Sequence, residues 1–595
     1  MPNRFRFGRF QLLPIERQLF DDGRPVVLGA RAFDLLLALV ERRDRLVSKS
    51  ELLDVVWPGL VVEEANLPVQ VSGLRKLIGP QAIAEMAAAR LPLLGLEGLH
   101  ARLGDRLNLL RASGRGAPTR QTTLRATLDW SHELLDTNER AVLRRLAVFV
   151  GSFRLDAAQH TAGLAGLNAD AVLDALAGLV DKSLVKLEQI EPPRYRLAET
   201  TRLYAWERLI DCGETDAAQQ GHVRFMSAFI QEAYNTWLIT NETEWRQRVE
   251  PELGNLRAAL HWAFAASADV AAGIAMAASA LPIWLHRDAH FQAEGLRCAR
   301  QAICLLSPAV PRQIEARLWF ASALLRPYDQ LVEKAAELER SVILARALGG
   351  GEQLCHSLVE QGRLLARMGR GCDADSTLDE AESMMNSVAP QRLRGLNFMA
   401  RAMLRQATGD LMGASRMHRR AAAVMLACGA ESLALCTMNN LADAAWAQGD
   451  LDGAVDGFSR AVELARRYPL AGADTVGVPL GNWAAVLFEQ GKVEQGSALI
   501  DEALTLLRKA DKAWELCDAL SVRLVLQSRN RDAAQVQGFV DAVYAASSEA
   551  RQPNEQRLRD QVFDRLRESF DDGQLRQLHS AGAQLTEDAA LCMAL

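Results

Sequence analysis

Four glycines set a long period in the second half of this chain. Gly369, Gly409, Gly449 and Gly491 each follow a helical pattern and open a turn, at spacings of 40, 40 and 42 residues by subtraction. Twelve residues after each glycine stands an alanine: Ala381, Ala421, Ala461 and Ala503. Small residues also recur five after it, at Ala374, Ala414, Ala454 and Gly496. A unit of helix, tight turn and second helix follows from this pattern, with small side chains where the paired helices must approach. One such unit cannot bury its own apolar face, so repetition at this length predicts a stacked helical array. MNNLADAAWAQGDLDGAVDGFSRAVELARR is the clearest copy, and a weaker one covers residues 313–348.

A chain of 595 residues is too long for one core, so the array must share it with other domains. The net charge of -6 rules out a protein that coats nucleic acid over its whole surface. Any such contact must be confined to one module. The nine cysteines are scattered, with no CxxC pair, which fits reduced thiols in a cytoplasm. The opening MPNRFRFGRF alternates charge and aromatic residues and is neither export signal nor anchor. The Ala-rich run Val270–Leu285, interrupted by Pro282, reads as a buried helix.

The N-terminal pattern is different. Phe5, Phe7 and Val26/Val27 lie in short strand-like segments separated by turns such as Asp21-Asp22-Gly23. Residues 30–43 form an amphipathic helix with Phe33, Leu36, Leu37 and Val40 inside. Ser48 stands three before Glu51, a capping-box spacing that opens a second helix, which stops at Pro58-Gly59. In EEANLPVQVSGLRKLIG (63–79), Leu67, Val71, Leu74 and Ile78 make one apolar stripe. Val69, Ser72, Gly73 and Lys76 point the other way, flanked by Asn66, Gln70 and Arg75.

The stretch LGARAFDLLLALVERRDRLVSKSELLDVVWPGLVVEEANLPVQVSGLRKLIG resembles the OmpR/PhoB-type winged-helix DNA-binding domain of one-component regulators, over residues 4 to about 80. The resemblance implies that the third helix lies in the major groove. Asn66, Val69, Gln70, Ser72 and Gly73 would then face the groove, and Arg75 and Lys76 the phosphates. Arg31 and Lys49 are further candidates for the DNA backbone. Amides can pair with adenine edges and cations supply salt-dependent affinity. Pro68 falls in the first turn of this helix, and the second strand of the family's wing is not recognisable after Gly79.

Residues 80–210 resemble another piece. TLRATLDWSHELLDTNERAVLRRLAVFVGSF, LVDKSLV and RYRLAETTRLYAWERL look like the C-terminal part of the STAND/NB-ARC-like regulatory ATPases, where a helical lid and a second winged-helix-like domain follow the nucleotide core. No G-x-x-x-x-G-K-[ST] occurs in the chain; Gly491-Lys492 is followed by valine. The ATPase core is therefore expected to be missing. HExxH and GxSxG are absent too, so no catalytic, metal or cofactor residues are assigned, and no enzyme is expected. His132 in WSHELL matches the STAND pattern as a structural residue.

The expected fold class is mainly α. A winged-helix DNA-binding domain occupies 1–80, a lid remnant 81–117, a winged-helix-like relay 118–212 and tetratricopeptide-like repeats 213–595. The expected function is a cytoplasmic DNA-binding transcription regulator without a receiver domain. Its expected partners are double-stranded DNA, RNA polymerase as a candidate, and an unidentified protein or small-molecule effector on the repeats, with no membrane. The alternative is a repeat-based interaction scaffold whose DNA module is weakened.

Overall fold

A computed structural model describes residues 5–7, 10–13, 18–21, 24–26, 33, 36 and 37, and then 123–595 apart from a few short connections. The expected helices at 48–57 and 63–79 and the lid remnant at 81–117 lie outside the described residues. The chain divides into two compact units, Met1–Trp130 and Ser131–Leu595.

In the first unit, β1 (Phe5–Phe7), β2 (Phe10–Leu13), β3 (Gln18–Asp21) and β4 (Arg24–Val26) pair in sequence order as an antiparallel sheet. Asp21 pairs with Arg24 at the end of the β3–β4 register. Leu19, Phe33 and Leu36 are fully buried. Phe33 and Leu36 are two of the four side chains expected on the inner face of the first helix.

The second unit begins with a small α+β arrangement. The described helix α1 (Thr123–Glu133) runs into it across the boundary between the units. Then come α2 (Thr137–Arg145), α3 (Leu155–Ala162), α4 (Ala169–Asp181), a hairpin of β5 (Val185–Glu188) and β6 (Arg194–Leu197), and α5 (Glu199–Asp211). A bridge from Phe153 to Tyr195 adds a third short strand position to the hairpin.

Helices follow without further strands among the described residues. They are α6 (Thr215–Trp237), α7 (Glu242–Val249), α8 (Leu253–Ala263), α9 (Val270–Ser279), α10 (Leu281–Leu285) and α11 (Ala289–Cys304). The buried Ala-rich run is two helices rather than one, because α9 ends at Ala280 and Pro282 can only sit in the first turn of a new helix.

The repeats are antiparallel helix pairs: α12 (Arg312–Leu325) with α13 (Leu331–Ala347), α14 (Glu352–Arg367) with α15 (Gly371–Met384), α16 (Gln391–Ala407) with α17 (Leu411–Ala427), α18 (Glu431–Ala447) with α19 (Leu451–Arg467), and α20 (Ala473–Glu489) with α21 (Val493–Leu507). The four periodic glycines join the last four pairs. Their φ values are +74°, +82°, +81° and +74°, a backbone region that costs any side chain with a Cβ. Asp410 and Asp450 then cap the next helix, accepting from the amides of Gly413 at 2.7 Å and Gly453 at 2.9 Å. All eight periodic small residues are buried. A Cβ at Gly496 would come within 2.5 Å of the Phe488 ring. The end of the array is closed by α22 (Cys517–Leu526), α23 (Asn530–Ser547), α24 (Pro553–Ser569), α25 (Asp572–Gly582) and α26 (Glu587–Ala594).

The α2–β6 arrangement is fixed to the array by buried polar contacts. The Arg194 guanidinium donates to Ser152 Oγ at 2.7 Å, to the Ser152 carbonyl at 2.8 Å and to Glu252 at 2.7 Å. Asn255 donates to Glu252 at 2.8 Å and to the Ser152 carbonyl at 3.0 Å, and accepts from the Val150 amide at 3.1 Å. The side chains of Arg194 and Glu252 are 5% and 3% exposed, so the pair is held away from water. Arg144 and Arg145 both grip Glu214, at 2.8 and 2.9 Å. The hydrogen bond from Arg144 leads in lowering that carboxyl to about 2, against a smaller desolvation effect. Beside them, the Phe149 ring stands edge-on to the buried His222 at 4.9 Å.

Three tests of this packing follow from the burial and the backbone angles. Gly449→Ala meets open space but a left-handed backbone, and is expected to cost about 1–2 kcal/mol. Ala461→Leu keeps the backbone but overfills a buried contact, at about 1–3 kcal/mol; thermal unfolding of both variants checks the pair. Glu252→Ala leaves the Arg194 charge buried without its acid and is expected to cost roughly 3–5 kcal/mol, read by the same melts. Burial lowers His222, His356 and His418 to about 4 each. Their folded values lie below the unfolded value near 6.5, so the unfolded chain binds more protons between those limits. Stability should therefore be intact above pH 6.5 and fall towards pH 4. The loss is up to roughly 3 kcal/mol per histidine, and urea titrations across that range measure it.

Candidate nucleic-acid interface

Winged-helix DNA readers place one helix in the major groove, and its outer face must carry groups that attract phosphate and pair with bases. The residues expected to do this are Asn66, Val69, Gln70, Ser72, Gly73, Arg75 and Lys76, with Arg31 and Lys49 toward the backbone. All nine lie outside the described residues. Their own module is described through its four-stranded sheet and its buried Leu19, Phe33 and Leu36.

The second helical arrangement can be built side chain by side chain. Asp136 accepts from the Glu139 amide at 2.8 Å while Glu139 accepts from the Asp136 amide at 2.9 Å, a complete capping box that starts α2. Glu139 also pairs with Lys182, which ties the start of α2 to the end of α4. Asn168 accepts from the Ala171 amide at 2.8 Å and starts α4. Val142, Leu146, Phe149, Phe153, Val172, Leu176 and Leu179 fill the interior. Phe149 and Phe153 stack with centroids 4.6 Å apart. His132 meets the Tyr204 ring edge-on at 5.8 Å.

Helix, helix, helix, hairpin is the order of a winged helix, and α4 occupies the place of a reading helix before the wing. Its outer face has the wrong chemistry for DNA. Asp170, Leu173, Asp174, Ala177 and Asp181 are its exposed side chains after the first residue, and ADAVLDALAGLVD contains neither lysine nor arginine. Three carboxylates on that face would repel phosphate. The stretch 63–79, by contrast, holds Arg75 and Lys76 beside two amides in its sequence. Charge thus separates the stretch 63–79 from α4. The sequence pattern gave no warning of the joint behind α4, because Ser152, Arg194, Glu252 and Asn255 belong to no periodic pattern and are up to 103 residues apart by subtraction.

Among the described residues no group of histidines, cysteines and carboxylates could hold a metal ion. No helix of the described residues is long and apolar enough to cross a membrane.

Residues 23–87 match the family "Transcriptional regulatory protein, C terminal", and residues 135–210 match a winged helix-turn-helix domain family. A Mycobacterium tuberculosis protein named as an HTH-type transcriptional regulator is 35% identical over 312 residues, covering 49% of this chain and 35% of that protein. The phosphate regulon transcriptional regulatory protein PhoB of Pseudomonas aeruginosa is 36% identical over 73 residues, 12% of this chain and 32% of its own length. The chain thus spans about a third of the length of the curated relatives it matches. A Pyrococcus horikoshii STAND protein with a tetratricopeptide repeat sensor is similar at 11% identity and a TM-score of 0.47, over 86% of this chain and 74% of that one. Two segments of the chain, 23–87 and 135–210, thus match transcription-regulator and winged helix-turn-helix families, and about half of the chain is similar to a mycobacterial protein named as an HTH-type regulator.

Proposed function

We propose that this chain is a DNA-binding transcription regulator whose N-terminal winged helix reads the major groove and whose repeats sense a partner. The observation that carries the reading is the family match at 23–87, which spans the amphipathic helix at 63–79 with its paired amides and cations. Residues 1–80 are the reading module and 81–117 a lid remnant. Residues 118–212 act as a relay and 213–595 as the sensing array. Asn66, Val69, Gln70, Ser72 and Gly73 face base edges, while Arg75, Lys76, Arg31 and Lys49 neutralise phosphates. The acidic outer face of α4 supports a relay role for the second winged helix, since it offers phosphate nothing. The absence of a P-loop sequence supports a regulator that does not hydrolyse nucleotide, acting in the cytoplasm with RNA polymerase as a further partner.

A mobility-shift titration of the full chain on the DNA upstream of its own gene tests this. Arg75→Ala with Lys76→Ala is expected to weaken binding roughly 10- to 100-fold and to lower the slope of log affinity against log salt by about 2. A folded chain that binds no DNA at low salt, or a double variant that binds as tightly as the parent, would favour the interaction-scaffold alternative.

A further inference from the structure

The second helices of the repeats form one layer of the array. The Arg346 guanidinium of α13 reaches Glu380 of α15 at 2.7 Å, and Arg466 of α19 reaches Glu502 of α21 at 2.6 Å. Ion pairs of one kind thus bridge neighbouring second helices on either side of α17. Helix α17 itself breaks the pattern. Leu426 stands 40 residues before Arg466, and Arg420 stands 40 residues after Glu380. The helix therefore has neither the cation nor the acid of the bridge at these places, and its charges are left for another use.

Those charges are of one sign. LMGASRMHRRAAAVMLA holds three arginines and no carboxylate. Arg416, Arg419 and Arg420 are exposed. Arg420 lies over the Phe398 ring at 4.2 Å, while no ion pair joins Arg416 or Arg419 to another described residue. Met412 and Leu426, 62% and 45% exposed, flank them toward the two ends of the helix. The neighbouring α15 is the opposite: GCDADSTLDEAESM holds five carboxylates and neither lysine nor arginine. Asp375, Asp379 and Glu382 share the single guanidinium of Arg401, so this face stays negative. The side chains of Asp375 and Asp379 are 62% and 67% exposed. Helix α21 also carries only acids, but its Asp501 and Glu502 each have an arginine of their own.

The acidic and the basic helix are neighbours in the layer, since both pack on α16. Each begins two residues after a periodic glycine, so residues 40 apart occupy corresponding places. Asp379 corresponds to Arg419, and Asp375 stands one residue short of the counterpart of Arg416. Such a surface complements itself. A two-fold axis running between α15 and α17, along both, lays the α15 of each copy over the α17 of the other. Corresponding residues then meet, i with j and j with i, and the assembly closes at two copies. Guanidinium groups and carboxylates are the natural partners in such a contact. A DNA duplex fits the layer less well, because the acids of α15 would repel its phosphates beside the arginines of α17.

We propose that the layer formed by α15 and α17 is an interface between two copies of this chain. Arg416 and Arg419 of each copy pair with Asp375 and Asp379 of the other, and Met412 and Leu426 add apolar contact toward the rim. At 1.5 Å per residue α17 is about 25 Å long, and two helices side by side are about 20 Å across, so the pairing buries roughly 1,000 Å² over both copies. That is the lower end of specific interfaces, and its charges lie near solvent. The dimer is therefore of about micromolar affinity and comes apart in salt.

Sedimentation equilibrium of the full chain through the micromolar range tests this. The parent is expected to form dimers at low salt and to return to monomers as salt rises. Arg416→Glu with Arg419→Glu is expected to weaken self-association at least 10-fold, and so is Asp375→Arg with Asp379→Arg. An equimolar mixture of the two variants is expected to restore the dimer, because one contact of the mixed pair is then native and the other has both signs reversed. Only folded chains give this rescue, so it separates a lost interface from a lost fold. A monomeric parent overturns the proposal, as does either variant associating as tightly as the parent. A mixture that stays monomeric, from variants that melt as the parent does, overturns it too. A monomeric parent whose DNA binding weakens in Arg416→Glu with Arg419→Glu would instead give α17 to phosphate.

Discussion

The close approach of paired helices at Ala374, Ala414, Ala454, Gly496 and their partners seven residues on is the constraint on which the array depends. Each helix pair leaves one face uncovered, and only the next pair can cover it. Side chains larger than methyl at these positions would push the helices apart and open the core that neighbouring repeats share. The glycine at each turn serves the same end by a different route. Its left-handed backbone reverses the chain in a few residues, so the second helix starts close enough for the small residues to meet the first. At Asp410 and Asp450 the following carboxylate then takes up amides that would otherwise be unpaired.

The attachment of the second winged helix rests on another kind of interaction. Burying Arg194 and Glu252 costs solvation, and the pair recovers it only because Ser152 and Asn255 complete the hydrogen bonding. Such a network tolerates one arrangement and penalises all others, so it fixes orientation more than it adds stability. Arg144 and Arg145 on Glu214 form a second anchor at the start of α6. Two polar anchors on different helices hold the α2–β6 arrangement against rotation about either.

What the sequence made legible was everything that repeats or is local. The periodic glycines and alanines announced the helix pairs, and all of them stand where the period required. Phe5, Phe7 and the Asp21-Asp22-Gly23 turn announced the N-terminal hairpins. Proline chemistry was underweighted at Pro282, where a single expected helix is two. The joint was not legible at all. Ser152, Arg194, Glu252 and Asn255 meet through tertiary packing. No local rule relates residues so far apart. The groove-facing residues from Asn66 to Lys76 are legible only through resemblance and charge, and they stand as a proposal.

One element links the joint to the repeats. Helix α6 has 23 residues, which at 1.5 Å each makes a rod of about 34 Å. At its start, Glu214 receives Arg144 and Arg145, and His222 lies on Phe149. At its end, the carbonyls of Trp237 and Thr240 accept from Arg392 at the head of α16. Two residues further on, Glu242 accepts from the amide of Ser432 at the head of α18, at 2.9 Å. The end of this rod is therefore tied to the heads of α16 and α18, and its start to the second winged helix. Shifting α16 against α18 would strain the contacts of Arg392 or Ser432, so the end of α6 holds these two repeats in place while its start holds the α2–β6 arrangement.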